Sequence, residues 1–145
     1  MSERDSAADK TTRHRILIVD DEESTRLLVA RMLVSALKLE VTLVGTSEQA
    51  LHLAGNYAYD AILLDLLMPG IGGFEVLKRI RRSSPNVATP LIIVSVLGEQ
   101  TTIDRCMAAG ASAYLVKPIE RNALVATVRS QIAGRSKPKT RGKSS

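Results

Sequence analysis

The chain lacks what several large protein classes need. Tryptophan is absent and aromatic residues make up only 3% of the 145 residues, so the interior must be built from Leu, Ile, Val and Ala. Cys106 stands alone, which excludes an intrachain disulfide and fits a reducing compartment. No apolar stretch approaches the ~20 residues of a membrane-spanning helix. Residues 1–13 are polar and of mixed charge, with no apolar signal-peptide core. Together these absences lead to the expectation of a cytoplasmic protein. The two histidines, His14 and His52, lie far from the acidic motifs in sequence and are expected to be solvated.

Most of the chain also lacks any excess of charge. The net +5 is carried by Arg135, Lys137, Lys139, Arg141 and Lys143, in a closing stretch with no acid; the rest of the chain is balanced. The high pI therefore says nothing about a nucleic-acid-binding fold. Residues 1–13 read as a flexible N-terminal tail. Residues 134–145, rich in Lys, Arg, Ser, Gly and Pro, read as a basic flexible tail or linker. That tail has no aromatic to stack on a base, so nucleic acid is expected as a partner only weakly, through charge. An anionic lipid or acidic partner is the other electrostatic reading.

What remains, residues 14–133, alternates two kinds of segment. Residues 16–19, 41–44, 61–64, 91–94 and 113–116 are short aliphatic runs, mostly apolar at successive positions. Such runs belong to parallel strands covered on both faces. Between them stand stripes at helical spacing: Leu28, Val29, Met32, Leu33 and Ala36; Ala50, Leu51 and Ala54; Phe74, Leu77 and Ile80; Ile103 and Met107; Leu124, Val125, Val128 and Ile132. Breakers fall between segments, at Pro69-Gly70, Gly72-Gly73, Pro85, Pro90 and Gly110. Five β-α repeats predict an α/β fold with a doubly wound parallel sheet.

In such a sheet ligands bind outside the carboxyl ends of the strands. The first run ends in Asp20-Asp21-Glu22, the third in Asp65, the fourth in Ser95 and the fifth in Lys117-Pro118. Crowded carboxylates repel one another unless a cation compensates. Oxygen donors without His or Cys point to Mg²⁺, with Mn²⁺ as a substitute, rather than zinc. A lysine beside them would neutralise a phosphate oxygen, and a carboxylate so placed can form an aspartyl phosphate.

These residues resemble the receiver domains of two-component response regulators. The resemblance is carried by Val19-Asp20-Asp21-Glu22, by Leu64-Asp65 with Met68-Pro69-Gly70, by Gly73-Phe74-Glu75, by Ser95, and by Tyr114-Leu115-Val116-Lys117-Pro118. It implies a five-stranded flavodoxin-like (βα)5 sheet of strand order 2-1-3-4-5. It implies Asp65 as phosphoacceptor. Asp21, Asp65 and the backbone carbonyl of Leu67 would be direct Mg²⁺ ligands, and Asp20 a ligand through water. Lys117 would contact the phosphoryl oxygens, and a cis peptide bond would join it to Pro118. Ser95 and Tyr114 resemble the switch pair. The implied donor is a histidine kinase or histidine phosphotransfer protein. The implied output is a downstream protein or attached domain, reached through the face of the fourth helix, fifth strand and fifth helix, where homodimerisation is also implied. The implied catalysis is confined to the protein's own phosphorylation and dephosphorylation.

Four residues depart from the family pattern. Leu67 and Leu97 flank the expected path of hydrolytic water and are expected to shield the phosphate, giving a long-lived phosphorylated state. Val96 stands where a small residue is usual and would narrow access for the donor. Gly72 replaces an acid. Two other readings remain open: a non-phosphorylated protein-binding module of the same fold, favoured by Val96, and a Mg²⁺-dependent phosphohydrolase. The second would need a group to activate water, such as an acid two residues after Asp65, where Leu67 stands. Too few residues follow the last stripe for an output domain, so the chain is expected to be a stand-alone regulator or a receiver excised from a longer protein.

Overall fold

β1, β2 and β3 end level with one another, and β4 ends level with β5 two residues beyond them; this alignment decides which side chains meet. The computed structural model describes residues 13–82 and 84–136, the side chains of residues 135 and 136 excepted. The readings of residues 1–12 and 137–145 as tails lie outside the described residues. The chain order is β1 (His14–Val19), α1 (Glu23–Val34), β2 (Leu39–Val44), α2 (Ser47–Asn56), β3 (Ala61–Leu64), α3 (Gly73–Arg82), β4 (Leu91–Ser95), α4 (Gln100–Ala108), β5 (Ala113–Val116) and α5 (Arg121–Ser136). All pairings are parallel, in the order β2-β1-β3-β4-β5. The last helix reaches Ser136, into the segment read as the start of the basic tail.

Val19 pairs with both Val44 and Leu64, so the next residues, Asp20 and Asp65, leave the sheet side by side. Ser95 pairs with Val116, which brings Lys117 to the same edge. The strand order reverses direction between β1 and β3, the kind of switch point at which a crevice opens.

Two apolar layers hold this sheet. Leu17, Val19, Ile62, Leu64, Leu91 and Ile93 pack with α2, α3 and α4 on one face. Ile16, Ile18, Leu63, Ile92 and Val94 pack with α1 and α5 on the other. Neighbouring residues of one strand thus enter opposite layers, which is why the strand sequences are apolar without alternation.

Packing adjusts the helix stripes. In α1 the buried residues are Val29, Ala30 and Leu33. Leu28 is exposed, while Met32 and Ala36 of the expected stripe pack partly buried against the same layer, Ala36 from beyond the end of the helix. The expected stripe was wide enough to fit two rotations about the helix axis, and contact with the sheet selects one. In α4 the buried residue is Cys106, while Met107 is exposed. Gly110, at φ +116°, ends α4, and the Ala111 N–H returns to the Cys106 carbonyl at 2.9 Å.

One buried polar network closes the lower end of the molecule. Asn86 accepts from the Tyr59 N–H at 2.8 Å and donates to the carbonyls of Ala54 and Tyr57, each at 2.7 Å. Its oxygen also accepts from Thr89 at 2.9 Å. No helix among the described residues is long and apolar enough to cross a membrane.

Candidate functional site

Three carboxylates meet at the switch point. Oxygens of Asp20, Asp21 and Asp65 lie within 4.8 Å of one another; Asp20 and Asp65 are buried and Asp21 is exposed. Lys117 reaches in from the end of β5. Its Nζ donates to Asp20 Oδ2 at 3.0 Å and to Asp65 Oδ2 at 3.1 Å. The other oxygen of each buried acid accepts a backbone N–H from its own loop. Asp20 Oδ1 takes Glu22 N–H at 2.9 Å, and Asp65 Oδ1 takes Leu67 N–H at 3.2 Å. Each carboxylate is therefore aimed from two sides. The peptide bond between Lys117 and Pro118 is cis.

Burial and pairing compete in this pocket. Desolvation raises the pKa of Asp65, against the opposing charge of Lys117 and the Leu67 N–H. Desolvation works to lower the pKa of Lys117, but its bonds and attraction to Asp20 and Asp65 prevail and hold it above the ordinary lysine value. The ammonium is thus firmly charged, and Asp65 is the strained member. An all-oxygen donor set of this kind fits Mg²⁺ and gives zinc no soft ligand.

The loop that carries Asp65 is tied down by its neighbours. Gly73 opens α3 against the Asp65 backbone, and a Cβ there would lie 2.2 Å from the Asp65 carbonyl oxygen. The Gly73 N–H donates to the Leu66 carbonyl at 2.9 Å, and the Ser47 hydroxyl donates to the Ile71 carbonyl. The Gly72-Gly73 pair, read in the sequence as a breaker, is in part a requirement for space.

Ser95 is completely buried at the end of β4. Its Oγ accepts the Leu97 N–H at 3.2 Å, while the Tyr114 hydroxyl donates to the Leu97 carbonyl at 2.5 Å. Ser95 and Tyr114 therefore grip the same residue from opposite sides. Burial raises the pKa of Tyr114, a hydrogen bond with Ser95 opposing it. The four charged residues form one cluster; Ser95 and Tyr114 form a second that shares Leu97.

Leu67, two residues after Asp65, is 50% exposed, and Val96, the residue after Ser95, is 58% exposed. Leu97 is half-buried and lines, with Leu66, Leu67, Phe74, Thr102, Arg105 and Cys106, a cavity of about 190 Å³. His14 lies with Nδ1 3.7 Å from Asp60, away from the acidic pocket, and His52 sits on α2 beside Asn56. Two contributors escaped the sequence reading, Ser47 and Arg26, and Gly73 figures there only as a breaker and motif residue, without its contact to the Asp65 backbone. The guanidinium of Arg26 donates to the Asp20 carbonyl at 2.6 Å. Only the place of Arg26, six residues after Asp20 at the start of α1, hinted at it.

A doubly wound parallel sheet with a lysine-bridged acid cluster at its switch point defines the class, and comparison with known proteins defines the family. Residues 16–129 match the model of the response regulator receiver domain family. The response regulator GacA of Pseudomonas aeruginosa is 35% identical over 123 residues, covering 83% of this chain and 56% of GacA. The sensory/regulatory protein RpfC of Xanthomonas campestris is 35% identical over 116 residues, covering 79% of this chain and 16% of RpfC. The chain thus spans about half the length of one relative and about a sixth of the other.

Solved structures agree with the fold. The chemotaxis response regulator CheY4 of Vibrio cholerae matches with a TM-score of 0.76 at 31% identity, over 82% of this chain and 98% of that one. The receiver domain of the sensor histidine kinase PA1611 of Pseudomonas aeruginosa, solved with a magnesium ion coordinated in its active-site cleft, also gives 0.76 at 31% identity, over 83% and 98%. The chain belongs to the response regulator receiver domain family of two-component signalling.

Proposed function

We propose that Asp65 accepts a phosphoryl group from a phosphohistidine on a kinase or phosphotransfer protein. A carboxylate oxygen of Asp65 attacks phosphorus, the P–N bond breaks, and the histidine nitrogen leaves with the electron pair and takes up a proton. The observation that carries this reading is the position of Lys117 Nζ, 3.0 Å from Asp20 and 3.1 Å from Asp65. A dianionic phosphoryl group arriving at Asp65 meets a fixed ammonium there, and electrostatic stabilisation is the main work such a transfer asks of a protein.

Mg²⁺, when bound, would neutralise the phosphoryl oxygens and the carboxylates together. Asp21, Asp65 and the Leu67 carbonyl are assigned as its direct ligands, and Asp20 as a ligand through water. Lys117 holds the phosphoryl oxygens. Ser95 and Tyr114 are assigned as the switch, since both are bonded to Leu97: drawing the Ser95 hydroxyl towards a phosphate would release the Leu97 N–H and disturb the bond from Tyr114. The switched surface is the α4–β5–α5 face, which would serve a downstream protein, an attached domain or a second copy. Residues 14–133 form the receiver unit in this reading, residues 1–13 and 134–145 its tails, and the cytoplasm its setting. Its own phosphorylation and dephosphorylation are the only reactions it would catalyse.

Incubation with Mg²⁺ and acetyl phosphate is expected to add the mass of one phosphoryl group, and Asp65→Ala to abolish the gain. A wild-type protein that gains no mass under these conditions would sink the proposal.

A further inference from the structure

Beneath the acid cluster lies a guanidinium that the transfer chemistry does not use. Arg26 sits in the early part of α1 and folds back under the turn that carries the acids. Its Nη1 donates to the main-chain carbonyl of Asp20 at 2.6 Å. The same guanidinium rests on Gly45, the first residue after β2. A Cβ on Gly45 would lie 2.8 Å from Nη1, against 3.8 Å from the Asp20 oxygen. Gly45 is not among the glycines with positive φ, so what it supplies is space.

The carbonyl of Asp20 belongs to the peptide unit that joins it to Asp21. That unit is planar, so fixing its oxygen fixes the Cα of Asp21. The Asp20 side chain has its own anchors in Glu22 N–H and Lys117. Asp21 is exposed, and no other described residue hydrogen-bonds its carboxylate. Its aim therefore depends on the backbone that Arg26 holds.

We propose that Arg26 is a positioning residue of the acid cluster, seated by Gly45, whose bond to the Asp20 carbonyl sets the direction in which Asp21 presents its carboxylate to a divalent cation. This rests on the reading of the cluster as a Mg²⁺ site. Two effects of Arg26 oppose each other. Its charge repels a bound cation, and its hydrogen bond preorganises a ligand. Outer partners of this kind commonly change metal affinity by about 10–100-fold.

Gly45→Ala separates the role from simple stability. The added methyl collides with the far end of a flexible side chain, so Arg26 can move aside while the core remains untouched. Mg²⁺ titration calorimetry on the whole chain, with the thermal midpoint measured alongside, gives the test. Gly45→Ala and Arg26→Met are each expected to weaken Mg²⁺ binding on the order of tenfold. The midpoint of Gly45→Ala is expected to stay at the wild-type value. The double variant is expected to bind no more weakly than Arg26→Met, since both changes remove one bond. Wild-type affinity in either single variant, tighter binding in Arg26→Met, or fully additive losses would overturn the proposal while leaving the Mg²⁺ reading in place. A wild-type protein that takes up no Mg²⁺ would overturn both.

Discussion

Asp65 is buried among a lysine, a backbone amide and a second buried acid, and desolvation wins: its pKa is raised. A carboxyl whose folded pKa exceeds its unfolded value binds its proton more tightly when folded. Its contribution to stability is present at low pH and is lost as pH rises through the folded pKa. In the absence of Mg²⁺, stability measured by urea unfolding should therefore rise as pH falls from neutrality towards the carboxylate range. Asp65→Asn should flatten that rise and be the more stable protein at pH 7. A wild type and variant with parallel profiles would show that Asp65 carries no such strain. Leu67 acts at the same scale. With an apolar side chain two residues after Asp65, phosphate on Asp65 should persist well beyond seconds after the donor is removed. Leu67→Glu, which adds a group able to orient water, should shorten that lifetime; mass spectrometry at intervals reads it directly.

Elements are joined by a few residues whose loss would be felt across several of them. Asn86 bonds the carbonyls that end α2, the N–H of Tyr59 ahead of β3, and Thr89 ahead of β4. Asn86→Ala strands the Tyr59 N–H and the carbonyls of Ala54 and Tyr57, while Thr89 keeps its bond to the Tyr59 carbonyl. A buried polar group so stranded costs roughly 1–3 kcal/mol, so a loss of about 3 kcal/mol or more is expected in denaturant unfolding. Thr46 makes a smaller contribution, capping α2 by accepting the Gln49 N–H at 3.1 Å. Neither residue touches the acid cluster. Both variants, if folded, should still take up phosphate on Asp65.

At the scale of the molecule, charge and fold are separable. The whole net charge of +5 belongs to the closing basic stretch, and most of that stretch lies past α5. A chain ending at Ser136 should keep its thermal midpoint and its phosphoryl uptake, and should lose most of its retention on a cation exchanger. Unchanged retention would place the basic surface on the folded body instead. Mg²⁺ should act on the whole fold in the opposite way. Because the proposed Mg²⁺ site exists only where folding gathers the acids, millimolar Mg²⁺ should raise the midpoint of the wild type and leave Asp21→Ala almost unmoved.

The sequence alone determined the order of elements, since aliphatic runs and helical stripes report local burial. It also determined which residue types stand at the strand ends, since a strand stops where its apolar run meets Asp20, Asp65 or Lys117. Phase was another matter. Leu28 and Ala30 flank the Val29 and Leu33 row on opposite sides, as Cys106 and Met107 flank the row through Ile103, and a periodicity that fits either rotation cannot choose. The grip of Ser95 and Tyr114 on Leu97, the seat of Arg26 on Gly45 and the closeness of Gly73 to the Asp65 carbonyl are contacts between segments far apart in the chain or folded back on themselves. No local pattern encodes a distance of that kind. It exists only once parallel pairing sets Val19 beside Leu64 and Ser95 beside Val116, because register, unlike propensity, is a property of two strands at once.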